Sequence, residues 1–206
     1  MNDDTLRKTY DRIAEDWHKD HQDDSWWIDG TDAFIGFLGK GALVFDAGCG
    51  GGTKSKYLLE RGLKVIGADF SEKLIWIARR DVPAAEFHVL DLWDAASLPN
   101  RFDGIFLQAV LLHIPKAEAR EFLRGLLSLL KPGGYIYIAV KEPWEDEPEE
   151  RMVKEDDYGY PYERFFSFYF PDEIREHFRA LDLEIVFEAV PETSHDTRWI
   201  QMIGRK

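Results

Sequence analysis

The stretch Ala42 to Gly52, ALVFDAGCGGG, decides the fold. Its apolar opening, Ala42 to Phe45, has strand length, and it ends in an acid followed by glycines at 48, 50, 51 and 52. This predicts a buried strand running into a loop whose backbone approaches a ligand closely. Glycine suits such a loop because it takes positive φ without steric cost and has no Cβ to hold a ligand away. Thr53 is predicted to cap a helix over Thr53 to Arg61, with Tyr57, Leu58 and Leu59 facing a sheet and Lys54 and Lys56 in water. Strand, glycine loop and helix N-terminus together form the ligand cradle of a doubly wound α/β sheet.

The spacing bears on the ligand. A dinucleotide loop is spaced G-x-G-x-x-G, whereas here Gly48, Gly50 and Gly52 are spaced G-x-G-x-G with Asp46 ahead of them. An acid at that place repels a pyrophosphate and suits a ligand that carries a cation. The stretch resembles motif I of the class I S-adenosylmethionine-dependent methyltransferases, D-x-G-x-G-x-G, which Asp46, Gly48, Gly50 and Gly52 match position for position. From this loop alone, a tight glycine turn without a ligand and a nicotinamide site remain open.

A chain of 206 residues fits one domain with a substantial core. The expected layout is a single domain over 1–206, with residues 1–40 as a helical cap and 142–170 as a lid-like insert. With 26 Lys and Arg against 39 Asp and Glu, the formal charge is −13, and no basic stripe appears, which argues against a nucleic-acid partner. No apolar run has the length of a signal core or a membrane span, so a cytoplasmic protein without membrane contact is expected. Cys49 is the only cysteine, which excludes an internal disulfide and a cysteine metal cluster. No carboxylate or histidine cluster has metal-ligand spacing, so no metal is expected.

Residues 4 to 20 place Leu6, Tyr10, Ile13 and Trp17 at helical spacing, and a second helix is expected from about Thr31 to Leu38. Lys64 to Phe70 reads as the second strand. Its Asp69, about twenty residues beyond the glycines, is placed to take both hydroxyls of a ribose, and Phe70 to pack on an adenine. A third strand from Glu86 ends at Asp91. Phe102 to Ala109 is a nearly continuous apolar run, as expected of a strand covered on both faces, and Gln108 lies at its ligand edge. Lys116 to Leu130 is a helix, followed by a turn and a strand from Tyr135 to Val140. The insert opens with acids and prolines, read as a solvated loop or lid, and continues as YGYPYERFFSFYF, rich in aromatics. A last helix from Pro171 and two strands, Leu183 to Val190 and Arg198 to Gly204, close the chain. His195 in their link is read as a surface residue.

The family resemblance runs through most of this order, with LKPGG at 130–134 as a further hallmark. It implies a seven-stranded Rossmann-like sheet in the order 3-2-1-4-5-7-6 with strand 7 antiparallel and helices on both faces. It implies S-adenosyl-L-methionine as methyl donor and S-adenosyl-L-homocysteine as product. Donor contacts carried over from the family fall on Tyr10, Asp46, Gly48, Cys49, Gly50, Gly52, Asp69, Phe70, Asp91, Leu92, Gln108 and Ala109. Candidates for acceptor contacts are Trp17, Trp26, Tyr158, Tyr160, Arg164 and Phe166, and His113 is the candidate proton acceptor. The implied reaction is in-line displacement at the sulfonium methyl by an N, O, S or C nucleophile of a small-molecule acceptor. Two alternatives stay open, a non-catalytic donor-binding subunit and a nicotinamide-dependent oxidoreductase.

Overall fold

The computed structural model describes residues 3–22, 24–99, 101–144, 146–190 and 197–206. In chain order the elements begin with helices α1 (Asp3–Asp20) and α2 (Ile28–Phe37), then β1 (Leu43–Ala47), α3 (Thr53–Glu60), β2 (Lys64–Asp69), α4 (Glu72–Asp81) and β3 (Glu86–Val89). There follow β4 (Phe102–Gln108), α5 (Lys116–Leu127), β5 (Leu130–Lys141), β6 (Glu150–Glu155), β7 (Tyr162–Ser167), α6 (Pro171–Ala180), β8 (Glu184–Ala189) and β9 (Trp199–Arg205). Single 3-10 turns follow β3 and β4, at Leu92–Ser97 and Leu111–His113.

Seven strands form one sheet in the order β3-β2-β1-β4-β5-β9-β8. All neighbours are parallel except around β9, which runs against both β5 and β8. This is the expected order, with β8 and β9 in the places of strands 6 and 7. The central strands carry the core: Val44, Phe45, Ile105, Phe106, Leu107, Ile136 and Tyr137 are buried, as apolar strands covered on both faces must be. Asp103, at the start of β4, accepts from the Leu43 amide at 2.8 Å and from Lys131 Nζ at 2.7 Å. It therefore ties the LKPGG segment to the sheet, which keeps that segment structural.

Several boundaries differ from expectation. β1 runs on to Ala47, so Asp46 lies inside the strand, opposite Gly67 and Phe106. The residue capping α3 is Gly52, left-handed at φ 86°, and Thr53 is the first helical residue. α2 begins at Ile28, three residues early, and α5 stops at Leu127 so that β5 can start at Leu130. The insert is not a plain loop, because β6 and β7 pair as an antiparallel ribbon, Val153 opposite Arg164. In β6 the period-two pattern is masked by polar residues on both faces: Arg151, Val153 and Glu155 are half-buried while Glu150, Met152 and Lys154 are exposed. His195 lies outside the described residues.

Candidate active site

Two adjoining cavities open at the carboxyl edge of the sheet, where β1, β2 and β4 end. The glycine loop forms their floor. Its Gly48 and Cys49 amides donate to the carbonyl of Ala68 at 2.8 and 3.0 Å, which fixes the loop against the end of β2. Gly50 is left-handed at φ 52°, and a Cβ there would meet the Trp17 ring at 3.1 Å. Glycine at this position therefore lets α1 lie directly over the loop.

The first cavity is lined by Asp69, Phe70, Asp91 and Leu92 on one side and by Leu6, Leu74 and Phe122 among others. Asp69 is buried and accepts one backbone amide on each oxygen, Gly50 at 3.0 Å and Ser71 at 2.9 Å. Burial outweighs these bonds and raises its pKa to about 6. Asp91 caps the following 3-10 turn through a 3.0 Å bond from the Trp93 amide while also lining this cavity. Tyr10, Trp17, Gly48, Gln108, Ala109 and His113 line both cavities and mark their junction. Ala109 holds φ at 56°, an uncommon conformation for a residue with a Cβ. The side-chain oxygen of Gln108 is buried without a partner among the described residues, which leaves it an acceptor for a donor group entering the cavity.

The second cavity, about 580 Å³, falls in the ~300–1,000 Å³ range of small-molecule sites. Trp26 stacks on Trp199 with ring centroids 3.7 Å apart, and Trp17 on His21 at 4.6 Å. Phe166, Arg164, Lys54, Lys141, Asp24 and Asp46 complete much of its wall. Asp46 accepts from Ser55 Oγ at 2.5 Å, and burial raises its pKa to about 6. Lys54, expected in water, instead faces this cavity over the Trp27 ring, and burial lowers its pKa to about 8.

His113 is differently placed from the free proton acceptor expected. Its Nδ1 lies 2.7 Å from the Phe165 carbonyl, which can only accept, so this nitrogen carries the proton by assignment from its partner. Nε2 then accepts from the Tyr10 hydroxyl at 2.7 Å, and Arg164 Nη1 donates to the same hydroxyl at 3.2 Å. Burial, with Arg164 and Lys141 nearby, drives the His113 pKa down to about 3. The ring is neutral with both nitrogens engaged, which makes it a scaffold at the junction.

Of the expected donor contacts, Tyr10, Gly48, Gly50, Asp69, Phe70, Asp91, Leu92, Gln108 and Ala109 line the first cavity, while Asp46 and Cys49 face the second. Gly52 faces neither. A Cβ there would sit 3.2 Å from Ala78 and Val82, so its role is packing α3 against α4. Among the acceptor candidates Trp17, Trp26, Arg164 and Phe166 line the second cavity. Tyr160 lies outside both, bonded to Asp16 at 2.9 Å under the Arg12 guanidinium, and Tyr158 stacks on Tyr162. Lys54, Lys141, His21 and Trp199 were not legible as site residues, because only the fold brings α1, α3, β5 and β9 to one edge.

Residues 44–134 match the family model described as a methyltransferase domain. In sequence the chain is 33% identical over 124 residues to the ubiquinone biosynthesis O-methyltransferase of Azoarcus sp. (strain BH72), covering 55% of this chain and 48% of that protein. It is 30% identical over 135 residues to the same enzyme of Chromobacterium violaceum, 60% of this chain and 56% of that one. The chain thus spans about half the length of these relatives. In structure it resembles the Burkholderia thailandensis 1,6-didemethyltoxoflavin-N1-methyltransferase, solved with 1,6-didemethyltoxoflavin and S-adenosylhomocysteine bound. The TM-score is 0.76 at 23% identity, over 98% of this chain and 87% of that one, a likeness of fold.

Proposed function

We propose that the chain is a class I S-adenosylmethionine-dependent methyltransferase that transfers a methyl group from S-adenosyl-L-methionine to a small-molecule acceptor. The observation that carries this reading is the junction: a cavity lined by Asp69 and Asp91 meets a roomy aromatic cavity at Tyr10, Trp17, Gly48, Gln108, Ala109 and His113.

The residues present fit the donor. A carboxylate offers about four acceptor positions, and Asp69 uses two of them on the Gly50 and Ser71 amides. Two remain for the vicinal hydroxyls of a ribose. Phe70 and Leu92 supply apolar faces for an adenine, with Asp91 beside them as acceptor for its amino group. Asp46 and Lys54, opposite in charge and on one wall, suit the ammonium and carboxylate of an amino acid. The unpartnered Gln108 oxygen supplies one further acceptor at the junction.

When bound, the donor supplies an electrophilic methyl on a sulfonium. The protein's part is chiefly to hold the acceptor in line, a proximity effect. The Tyr10 and Trp17 rings, edge to face at 5.9 Å, give the junction an aromatic wall that favours positive charge. Tyr10 is held from two sides by Arg164 and His113, so its ring is fixed before any ligand arrives. Both His113 nitrogens are engaged, so the junction suits an acceptor whose nucleophilic atom arrives already deprotonated or with a free lone pair. The chain acts as one domain, with residues 1–40 as cap and 142–170 as lid-like insert, in the cytoplasm.

Incubation of the protein with methyl-labelled donor and a panel of small acceptors tests the proposal. Transfer of label to an acceptor is expected. Donor binding with no transfer across the panel would point instead to a non-catalytic binding subunit.

A further inference from the structure

Three cations line the larger cavity, and they differ in what they meet. The Arg164 guanidinium grips Glu155 across the β6–β7 ribbon, Nε at 2.8 Å and Nη2 at 2.5 Å, and gives its remaining nitrogen to Tyr10. Lys54 lies over Trp27 at 5.0 Å, with Asp24 and Asp46 acting on its charge. Lys141, at the carboxyl end of β5, stands over the Phe166 and Trp199 rings at 5.3 Å each, and among the described residues its ammonium has no carboxylate within ion-pair distance. Acids are not scarce, since the chain carries 39 against 26 bases. Burial, reinforced by Arg164 and only partly offset by the more distant Glu155 and Asp24 carboxylates, holds Lys141 below its ordinary pKa, a cost that an arriving anion would relieve.

The surfaces beside this ammonium are flat. Trp199 is stacked on Trp26 with only 12° between the planes, and the same ammonium lies over the Phe166 ring as well. A cation flanked by ring faces is complementary to a planar molecule with one negative group. Asp24 and Asp46 on the same walls disfavour a second negative charge.

We propose that the larger cavity takes a small aromatic carboxylate as acceptor, its negative group meeting the Lys141 ammonium and its ring lying along Phe166 and Trp199. The word acceptor rests on the methyltransferase reading, whereas the anion site itself does not. Arg164 serves as a positioning residue, committed to Glu155 and Tyr10. The carboxylate is the recognition handle or, being ionised at neutral pH, itself the nucleophile, and in the second role its oxygen takes the methyl to give an ester with no proton to remove.

The test is calorimetric titration of the full chain, with and without saturating S-adenosylhomocysteine, using three acid and amide pairs: benzoate and benzamide, 2-naphthoate and 2-naphthamide, indole-3-acetate and indole-3-acetamide. At least one acid is expected to bind about tenfold more tightly than its amide. That advantage disappears in Lys141→Met and persists in Lys141→Arg. Equal behaviour of acid and amide in all three pairs, including no binding by either, overturns the proposal, as does an acid preference unchanged in Lys141→Met. Absence of S-adenosylhomocysteine binding in the same cell overturns the methyltransferase reading instead, and a Lys141-dependent acid preference without it leaves the anion site standing.

Discussion

The Tyr10 hydroxyl donates to Nε2 of His113 at 2.7 Å, joining the first helix to the turn that follows the fourth strand, directly between the two cavities. Arg164 completes the arrangement from the β6–β7 ribbon. Three segments far apart in sequence thus share one buried hydroxyl. Tyr10→Phe removes it and leaves His113 Nε2 and Arg164 Nη1 without that partner, at a cost of about 1–3 kcal/mol. Thermal unfolding should show the loss, and donor affinity should fall with it. A variant as stable as wild type would mean that the hydroxyl couples nothing.

Because its pKa is driven down to about 3, His113 should stay neutral across the working range. Its folded value lies below the unfolded value of ~6.5. The unfolded chain therefore binds the proton first, and the contribution of His113 to stability is full above about pH 6.5 and is lost as pH falls toward 3. A nuclear magnetic resonance titration of the ring should show no protonation between pH 5 and 8, and an inflection near 6.5 would refute the placement.

Asp46 and Asp69 behave in the opposite sense. Both folded values are raised from 3.8 to about 6, chiefly by burial. The native state holds the extra protons between those values, so stability falls as pH rises through the window and the ionised pair is a burden above it. Asp46→Asn is expected to raise the melting temperature at pH 8, by on the order of 2–3 kcal/mol in stability, with little effect at pH 4. The same change should weaken donor binding, since the ionised acid is what meets an ammonium. In wild type, donor affinity should drop below pH 6. A melting temperature unchanged at pH 8 would show that Asp46 is not strained by its charge.

Glycines of equal rank in the sequence carry different loads. A Cβ on Gly51 would lie 2.1 Å from Nδ1 of His18, the α1 residue whose Nε2 meets Asp81 at 3.1 Å. Gly51→Ala should therefore lift α1, costing about 1–3 kcal/mol and exposing residues 3–20 to limited proteolysis. Gly36, inside α2, has nothing within 4 Å of the same position, so Gly36→Ala should be neutral or stabilise by ~0.5–1 kcal/mol. Equal proteolysis of the two variants would remove the assigned latch.

The strand order came from the family resemblance, while apolar strands with polar residues at or just beyond their carboxyl ends, at 46, 69, 91 and 108, alternating with amphipathic helices made the α/β class legible. The donor side was legible for the same reason, since Asp69, Asp91 and Gln108 all lie at strand ends. The acceptor side was not. Lys54 reads as a wet helical lysine until Trp27, just ahead of α2, closes over it, and Lys141 is an ordinary strand terminus until β9 brings Trp199 alongside. Tyr160 sits in the most aromatic stretch of the chain yet is claimed by Asp16 on the outer surface. Composition marks such a segment as sticky, and only packing says to what.

The central claim is that Asp69 and its neighbours grip an adenosyl donor rather than a dinucleotide. Calorimetric titration of S-adenosylmethionine and of NAD into wild type and Asp69→Ala tests it most directly. One-to-one binding of S-adenosylmethionine, no comparable binding of NAD, and a loss of at least about tenfold in the variant are the predicted results. Unchanged donor affinity in Asp69→Ala, or a preference of the wild type for NAD, would contradict the account.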